Sequence, residues 1–181
     1  MEHKYFAAQV VGAIAIVFSL SVFQTNNRRK MLYAGTFGAI FWTLQFYLLG
    51  AEAGAAMNAI GVVRNFTLAR VKPRRENLWV LVVITLMAAA ATLFTWQGPA
   101  GLLVLAACVL NGFVFWTSNT ATIRKLYLIV PPLWFAYDLI VHSYPGMAIE
   151  CLLIASNLLG QFRFDTKRGI KTFLQPIRSY K

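Results

Sequence analysis

Asn58, Gly61 and Arg64 stand three residues apart, and so do Asn157, Gly160 and Arg163. Both Asn-x-x-Gly-x-x-Arg stretches lie inside long apolar runs, where an amide or a charge is costly and needs a reason. On a helix, positions i, i+3 and i+6 fall in one broad stripe, so the three side chains of each stretch can address the same neighbour. A carboxamide offers two donors and an acceptor, which suits a polyhydroxylated or amide-bearing solute; it equally suits a bond to an adjacent helix. The arginines follow two turns later, where a guanidinium can snorkel to the interface or pair with a carboxylate. Snorkelling is the reading for Arg163, whereas Arg64, deeper in its run, can alternatively face a cavity and attract an anionic solute.

Asp138 and Glu150 are the only acidic residues inside the apolar runs, with Tyr137 and His142 close by in the chain. Carboxyls in such a setting either carry protons along a pathway or flank a wet outer vestibule, and His142, beside a turn, belongs to the vestibule. Trp42, Phe46, Trp134 and Tyr137 fit the aromatic walls of a sugar or nucleoside pocket, although core packing accounts for any one of them alone. Tyr5, Trp79, Trp96 and Tyr144 sit where interfacial belts form. Cys108 and Cys151 lack Cys-x-x-Cys spacing and a His partner, so both read as small buried hydrophobes. No Ser-His-Asp order, paired carboxylates on one turn, metal-ligand spacing or phosphate loop is visible, so neither catalysis nor a metal or cofactor is expected.

The elements that position these residues must be membrane spans. The chain has 181 residues, of which 59% are apolar, 14% aromatic and 13% charged, against about 45–50% apolar and ~25% charged in soluble domains. Apolar runs of spanning length fall at about 5–23, 31–49, 53–71, 77–96, 99–117, 123–142 and 145–164. The net charge of +11 could suggest nucleic acid, but placement excludes it. Lys and Arg collect in the connectors after the first, third and fifth runs and in the C-terminal tail, while the other connectors are nearly free of them. Basic segments face the cytoplasm, so the N-terminus is expected outside and the C-terminus inside. The tail over 166–181 reads as a short segment near anionic headgroups.

Internal matches organise the runs. Val22-Phe23-x-Thr25-x-Asn27 matches Val114-Phe115-x-Thr117-x-Asn119 at an offset of 92, Arg29-Lys30 matches Arg124-Lys125 at 95, and the Asn-x-x-Gly-x-x-Arg stretches match at 99. The second copy is thus expected to gain a few residues in its loops, and Trp42 aligns with Trp134 or Tyr137. The expected fold is an all-α membrane protein of seven transmembrane helices. Residues 1–72 form a first three-helix repeat, 73–98 a linker helix and 99–165 a second three-helix repeat. An odd linker makes the repeats parallel, related by an axis along the membrane normal. The alanines over 88–91 suit close packing of the linker helix.

This 3+1+3 arrangement resembles the SWEET and PQ-loop transporter superfamily. The local text resembles the YgjV family of bacterial inner-membrane proteins: Gln24-x-x-Asn27-Arg28-Arg29, Leu48-Leu49-Gly50-Ala51-x-x-Gly54, Asn58 to Arg64, Trp134-x-x-Tyr137, Ser143-x-Pro145-Gly146, and Ser156-Asn157 to Arg163. The resemblance implies a bacterial inner-membrane location, and that an asparagine from the third helix of each repeat, here Asn58 and Asn157, reaches a central solute site. Two departures are evident. The Pro-Gln dipeptide is replaced by Phe23-Gln24 and Phe115-Trp116, and Pro131-Pro132 is the one site comparable to the hinge prolines of such helices. The expected function is transport or facilitation of a small polar solute, sugar-, nucleoside- or vitamin-like. A non-transporting scaffold or lipid-interacting protein of the same fold is the alternative. The expected partners are the bilayer and that solute, and a homo-oligomer is compatible with these features.

Overall fold

The computed structural model describes residues 2–166, so the expectation for the basic tail falls, apart from Thr166, outside the described residues. Among these every regular element is helical: α1 (Glu2–Ser21), α2 (Arg28–Leu48), α3 (Glu52–Arg70), α4 (Trp79–Phe94), α5 (Ala100–Trp116), α6 (Thr120–Tyr127), α7 (Pro131–Ile140) and α8 (Tyr144–Gly160). A short 3-10 turn follows α1, another precedes α4, and α8 runs on into a π-helical segment, Gln161–Thr166. The expected single span over 123–142 is therefore two helices. Pro131 has no N–H to return to the preceding turn, so α6 closes on 3-10-type bonds such as Val130 N–H to Tyr127 O. The prolines then start α7, where the missing donor costs nothing.

Local chemistry sets the other boundaries. The side chains of Asn27 and Asn119 accept backbone N–H bonds and cap α2 and α6, and Ser143 does the same for α8. The matched Asn27 and Asn119 thus mark equivalent helix starts. Gly50 (φ 73°) and Gly98 (φ 108°) take the left-handed turn conformation that glycine accepts without strain.

α1 and α3 both pack on α2, α5 and α8 both pack on α7, and α4 lies against α3 and α5. The groups join through α1 against α8 and α3 against α5. Of the alanines over 88–91 expected to pack closely, Ala88 is fully buried, Ala89 and Ala91 are partly so and Ala90 is exposed, so α4 packs by one edge of that stretch. Three stretches are long and apolar enough to cross a membrane, His3–Gln24, Arg75–Phe94 and Tyr144–Thr166, and α5 is a shorter apolar helix. α2 and α3, at 21 and 19 residues, have the length of about 30 Å that a bilayer core demands but a more polar composition. Their polar groups point inward, while Phe37, Leu44, Tyr47, Val63 and Phe66 remain exposed. With Val17, Leu86, Leu93 and Phe113 of neighbouring helices also exposed, the apolar perimeter is far larger than a soluble surface tolerates.

The two ends of the bundle differ sharply. At one end the start of α1 meets the α7–α8 turn through Tyr5 Oη and the His142 carbonyl, and the α4–α5 turn meets the α2–α3 turn through Gln97 Nε2 and the Gly50 carbonyl. At the other, Arg28 donates to the carbonyls of Leu68 (2.8 Å), Phe115 (2.8 Å) and Thr117 (2.9 Å), tying the start of α2 to the ends of α3 and α5. Arg124 does the corresponding work from α6, donating to the Thr25 carbonyl, to Asn26 and to Asp165 (Nε to Oδ2 2.9 Å). All the Lys and Arg of the connectors lie at this second end, and Lys4 is alone at the first among the described residues.

Candidate functional site

Where α1–α3 meet α5–α8, the helices α1, α2, α3, α5, α7 and α8 surround a cavity of about 100 Å³, with Tyr127 of α6 on its wall. Its positive group is Arg64, only 5% exposed, whose Nη1 donates to the Cys108 carbonyl and whose Nε donates to Asn65 Oδ1, each at 3.1 Å. Its acidic groups are Asp138 and Glu150, 1% and 7% exposed. Ser19, Asn58, Asn65 and Asn111 add uncharged polar groups to the lining. Glu150 Oε2 and Asn111 Oδ1 are buried without a hydrogen-bond partner among the described residues, and the Asp138 carboxyl lies beside the Ser143 hydroxyl. No carboxylate approaches Arg64 within ion-pair distance there, since the pairs formed are Arg74–Glu76 and Arg124–Asp165.

The aromatic side is continuous. Phe46 and Trp134 stack with centroids 5.9 Å apart, and Trp42 lies 6.2 Å from Phe46. Trp42 is fixed by its Nε1–H bond to Ser19 Oγ (2.9 Å). Tyr137 stands behind this wall instead of in it: its ring touches Phe46 and Trp134, and its hydroxyl accepts the Gly54 N–H at 2.8 Å. Gly54 has no room for more, because a Cβ there would sit 2.7 Å from the Tyr137 ring.

Of the residues singled out from sequence, Asn58, Arg64, Trp42, Trp134, Asp138 and Glu150 line the cavity. Asn157 does not. It is fully buried, and its Nδ2 donates to the Arg124 carbonyl at 2.8 Å, so it binds α8 to α6. Asn58, by contrast, is half-buried and donates only back to the Gly54 carbonyl of its own helix. Arg163 is exposed near the basic end, as snorkelling requires, and His142 is exposed at the opposite turn. Cys108 is buried on the cavity wall, but Cys151 is exposed on the outer face of α8, which corrects its reading as a core residue.

The reason Asn58 and Asn157 part company is register. α2 and α6 start 92 residues apart, α2 and α7 end 92 apart, and α3 and α8 start 92 apart; the loops gain nothing. An offset of 99 is therefore seven residues too long. Seven residues are about two α-helical turns, so the motif reappears on a similar face but two turns deeper. At the constant offset Asn58 corresponds to Glu150, Asn65 to Asn157, and Trp42 to Trp134. The cavity keeps this order: Ser19 and Asn111, Phe23 and Phe115, Trp42 and Trp134, Phe46 and Asp138, Met57 and Ile149, and Asn58 and Glu150 all line it. Ser19, Asn65, Asn111 and Tyr127 were not singled out from sequence. Asn65 and Asn111 carried a usable signal, an amide inside an apolar run, while Ser19 and Tyr127 carried none.

A family model described as Imp-YgjV, bacterial inner membrane protein, matches residues 6–168. The inner membrane protein YgjV of Escherichia coli (strain K12) is 25% identical over 176 residues, covering 93% of this chain and 91% of that one. No solved structure matches.

Proposed function

This chain belongs to the Imp-YgjV family of bacterial inner membrane proteins, and from that premise we propose that it transports or facilitates passage of a small polar solute through the central cavity. The carrying observation is the cavity itself, a polar site enclosed by membrane helices and lined by pairs of residues 92 positions apart. The constant offset supports two parallel repeats, 1–72 and 99–165, joined by α4 within 73–98. Parallel repeats meeting at a mid-membrane site suit transport, because one repeat can rock against the other around a fixed site. In this reading the basic end faces the cytoplasm, and the ties made by Arg28 and Arg124 close that side. The protein performs no catalytic step.

A second reading, a lipid-interacting scaffold, draws on the hollow at the basic end lined by Arg28, Arg29, Arg70 and Lys72, since such clusters attract anionic headgroups. Accessibility separates the two. In a background of Cys108→Ala and Cys151→Ala, Asn58→Cys is treated with a membrane-impermeant maleimide from each face of the membrane. Transport requires labelling from both faces. Modification from one face alone, or from neither, rules it out and favours the scaffold.

A further inference from the structure

Resting on the transport reading, we propose that the solute is a small zwitterion, its cationic group, an ammonium, held at Asp138 and Glu150 and its anionic group at Arg64. The cavity is electrically divided. Its positive charge comes from α3, in the first half of the chain, and both acidic groups come from α7 and α8, in the second. Corresponding positions have diverged to produce this split. Glu150 stands where the first half has Asn58, and Asp138 where it has Phe46. The counterpart of Arg64 is Ser156, which is not in the cavity wall and instead accepts from Gln24 Nε2 at 2.8 Å. Two equivalent half-sites would suit a symmetric or uncharged molecule, whereas these two halves suit a molecule with unlike ends.

The unused bonding capacity agrees. Arg64 spends Nε and Nη1 on Asn65 and Cys108, and Nη2 makes no hydrogen bond among the described residues. A guanidinium edge presented to a cavity takes a carboxylate or another planar anion. On the acidic side the groups lacking a partner among the described residues are acceptors, Glu150 Oε2 and Asn111 Oδ1, while the Asp138 carboxyl has the Ser143 hydroxyl beside it. A buried acceptor without a donor is costly, and an ammonium brings three donors and no acceptor. The stacked rings of Phe46 and Trp134 add a face that attracts a cation.

Length fits as well. α3 and α8 start at the same end of the bundle, with Arg64 twelve residues into α3 and Glu150 six residues into α8. At about 1.5 Å per residue their backbones differ in depth by roughly 9 Å, so one ligand that reaches both must carry its unlike charges at opposite ends. A sugar leaves the charges at both ends uncompensated, a dicarboxylate meets Asp138 and Glu150 with like charge, and a diamine meets Arg64 the same way.

The test is thermal unfolding of the purified full-length protein, because a ligand that binds the folded form raises its unfolding temperature. Glycine through 6-aminohexanoate are compared with the matching amines, the matching carboxylates, and uncharged sugars and nucleosides. At least one aminocarboxylate should stabilise the protein where its amine or carboxylate alone at equal concentration does not. Glu150→Gln and Arg64→Gln should each weaken that binding about ten- to a hundredfold, the loss of one charged hydrogen-bond partner. Glu150→Gln preserves size at an oxygen that bonds to nothing. If Arg64→Gln does not fold, Arg64→Lys keeps the charge but not the fork and should bind the same ligand more weakly. Stabilisation by sugars or nucleosides with the aminocarboxylates inert overturns the zwitterion and leaves transport standing. So does an amine or carboxylate acting as well as the zwitterion, or a panel that is inert throughout while position 58 is reached from both faces. If position 58 is not reached from both faces, the transport reading itself fails.

Discussion

Asn58 and Asn157 occupy the same place in the same motif and do different work. Asn157 is buried with its amide committed to the Arg124 carbonyl, so removing it leaves an acceptor without a donor between two helices. Asn157→Ala should lower stability by about 1 kcal/mol, the usual worth of an interhelical hydrogen bond in a membrane protein, and leave ligand affinity unchanged. Asn58→Ala should do the reverse, since its bond to Gly54 stays within one helix and the lost surface faces the cavity. Unfolding in denaturing detergent, repeated with and without a stabilising ligand, measures both quantities for each variant; equal effects would mean that the cavity assignment of Asn58 is wrong. Residue type was legible in the sequence, because an intramembrane amide announces a purpose. Its purpose was not, because a displacement of two helical turns keeps a side chain on a similar face while moving it out of the cavity.

At the scale of elements, the bundle is held at its basic end by two arginines, one at the start of α2 and one in the last turn of α6. Arg28 satisfies carbonyls at the ends of α3 and α5, which a helix C-terminus otherwise leaves open. Arg124 is fully buried and meets Asp165, itself 18% exposed, through Nε and Nη2 of its guanidinium. Taking away one member of such a pair leaves a buried charge uncompensated. Asp165→Asn should therefore destabilise the protein by about 3 kcal/mol, toward the lower end of the range for buried pairs. The double variant Arg124→Met, Asp165→Leu should recover part of that loss, because it removes the uncompensated charge too. Chemical unfolding of the three variants decides the point, and a double variant no more stable than Asp165→Asn would mean that the two side chains are not coupled. In the sequence Arg124 looks like one more connector charge. Its burial depends on Asp165, 41 residues later and just past the last apolar run, and no local pattern joins the two. Helix ends rest on shorter-range chemistry: Asn27, Asn119, Ser143, Gly50 and Gly98 each stand at a cap or turn. The break at Pro131-Pro132 was also visible, but an apolar run long enough to span reads as one helix until the missing N–H is counted.

For the molecule as a whole, the informative quantity is where charge is not. The perimeter is apolar, the interior holds a few uncompensated polar groups, and the Lys and Arg of the connectors gather at one end with Lys4 alone at the other among the described residues. That alternation was legible because topology signals are local and cumulative, each connector repeating the same vote. Much of the cavity lining was legible by residue type, but its remaining walls at Ser19, Asn65, Asn111 and Tyr127 were not singled out, because they come together only when helices distant in sequence meet, as α3 meets α5 and α1 meets α8. Hydropathy also understates α2 and α3, whose inward polar groups dilute an outward face of Phe37, Leu44 and Phe66. The charge asymmetry yields a prediction that depends on no ligand. A phosphatase reporter that is active only outside the cytoplasm should be active when joined after Gly98, in the α4–α5 turn, and silent when joined after Lys72 or Ser118. The opposite pattern would invert the molecule, placing the arginine ties on the outer side and Asp138 and Glu150 nearer the cytoplasm. A solute entering from outside would then reach Arg64 before it reached the acidic groups, and the side of the membrane that the arginine ties hold closed would change with it.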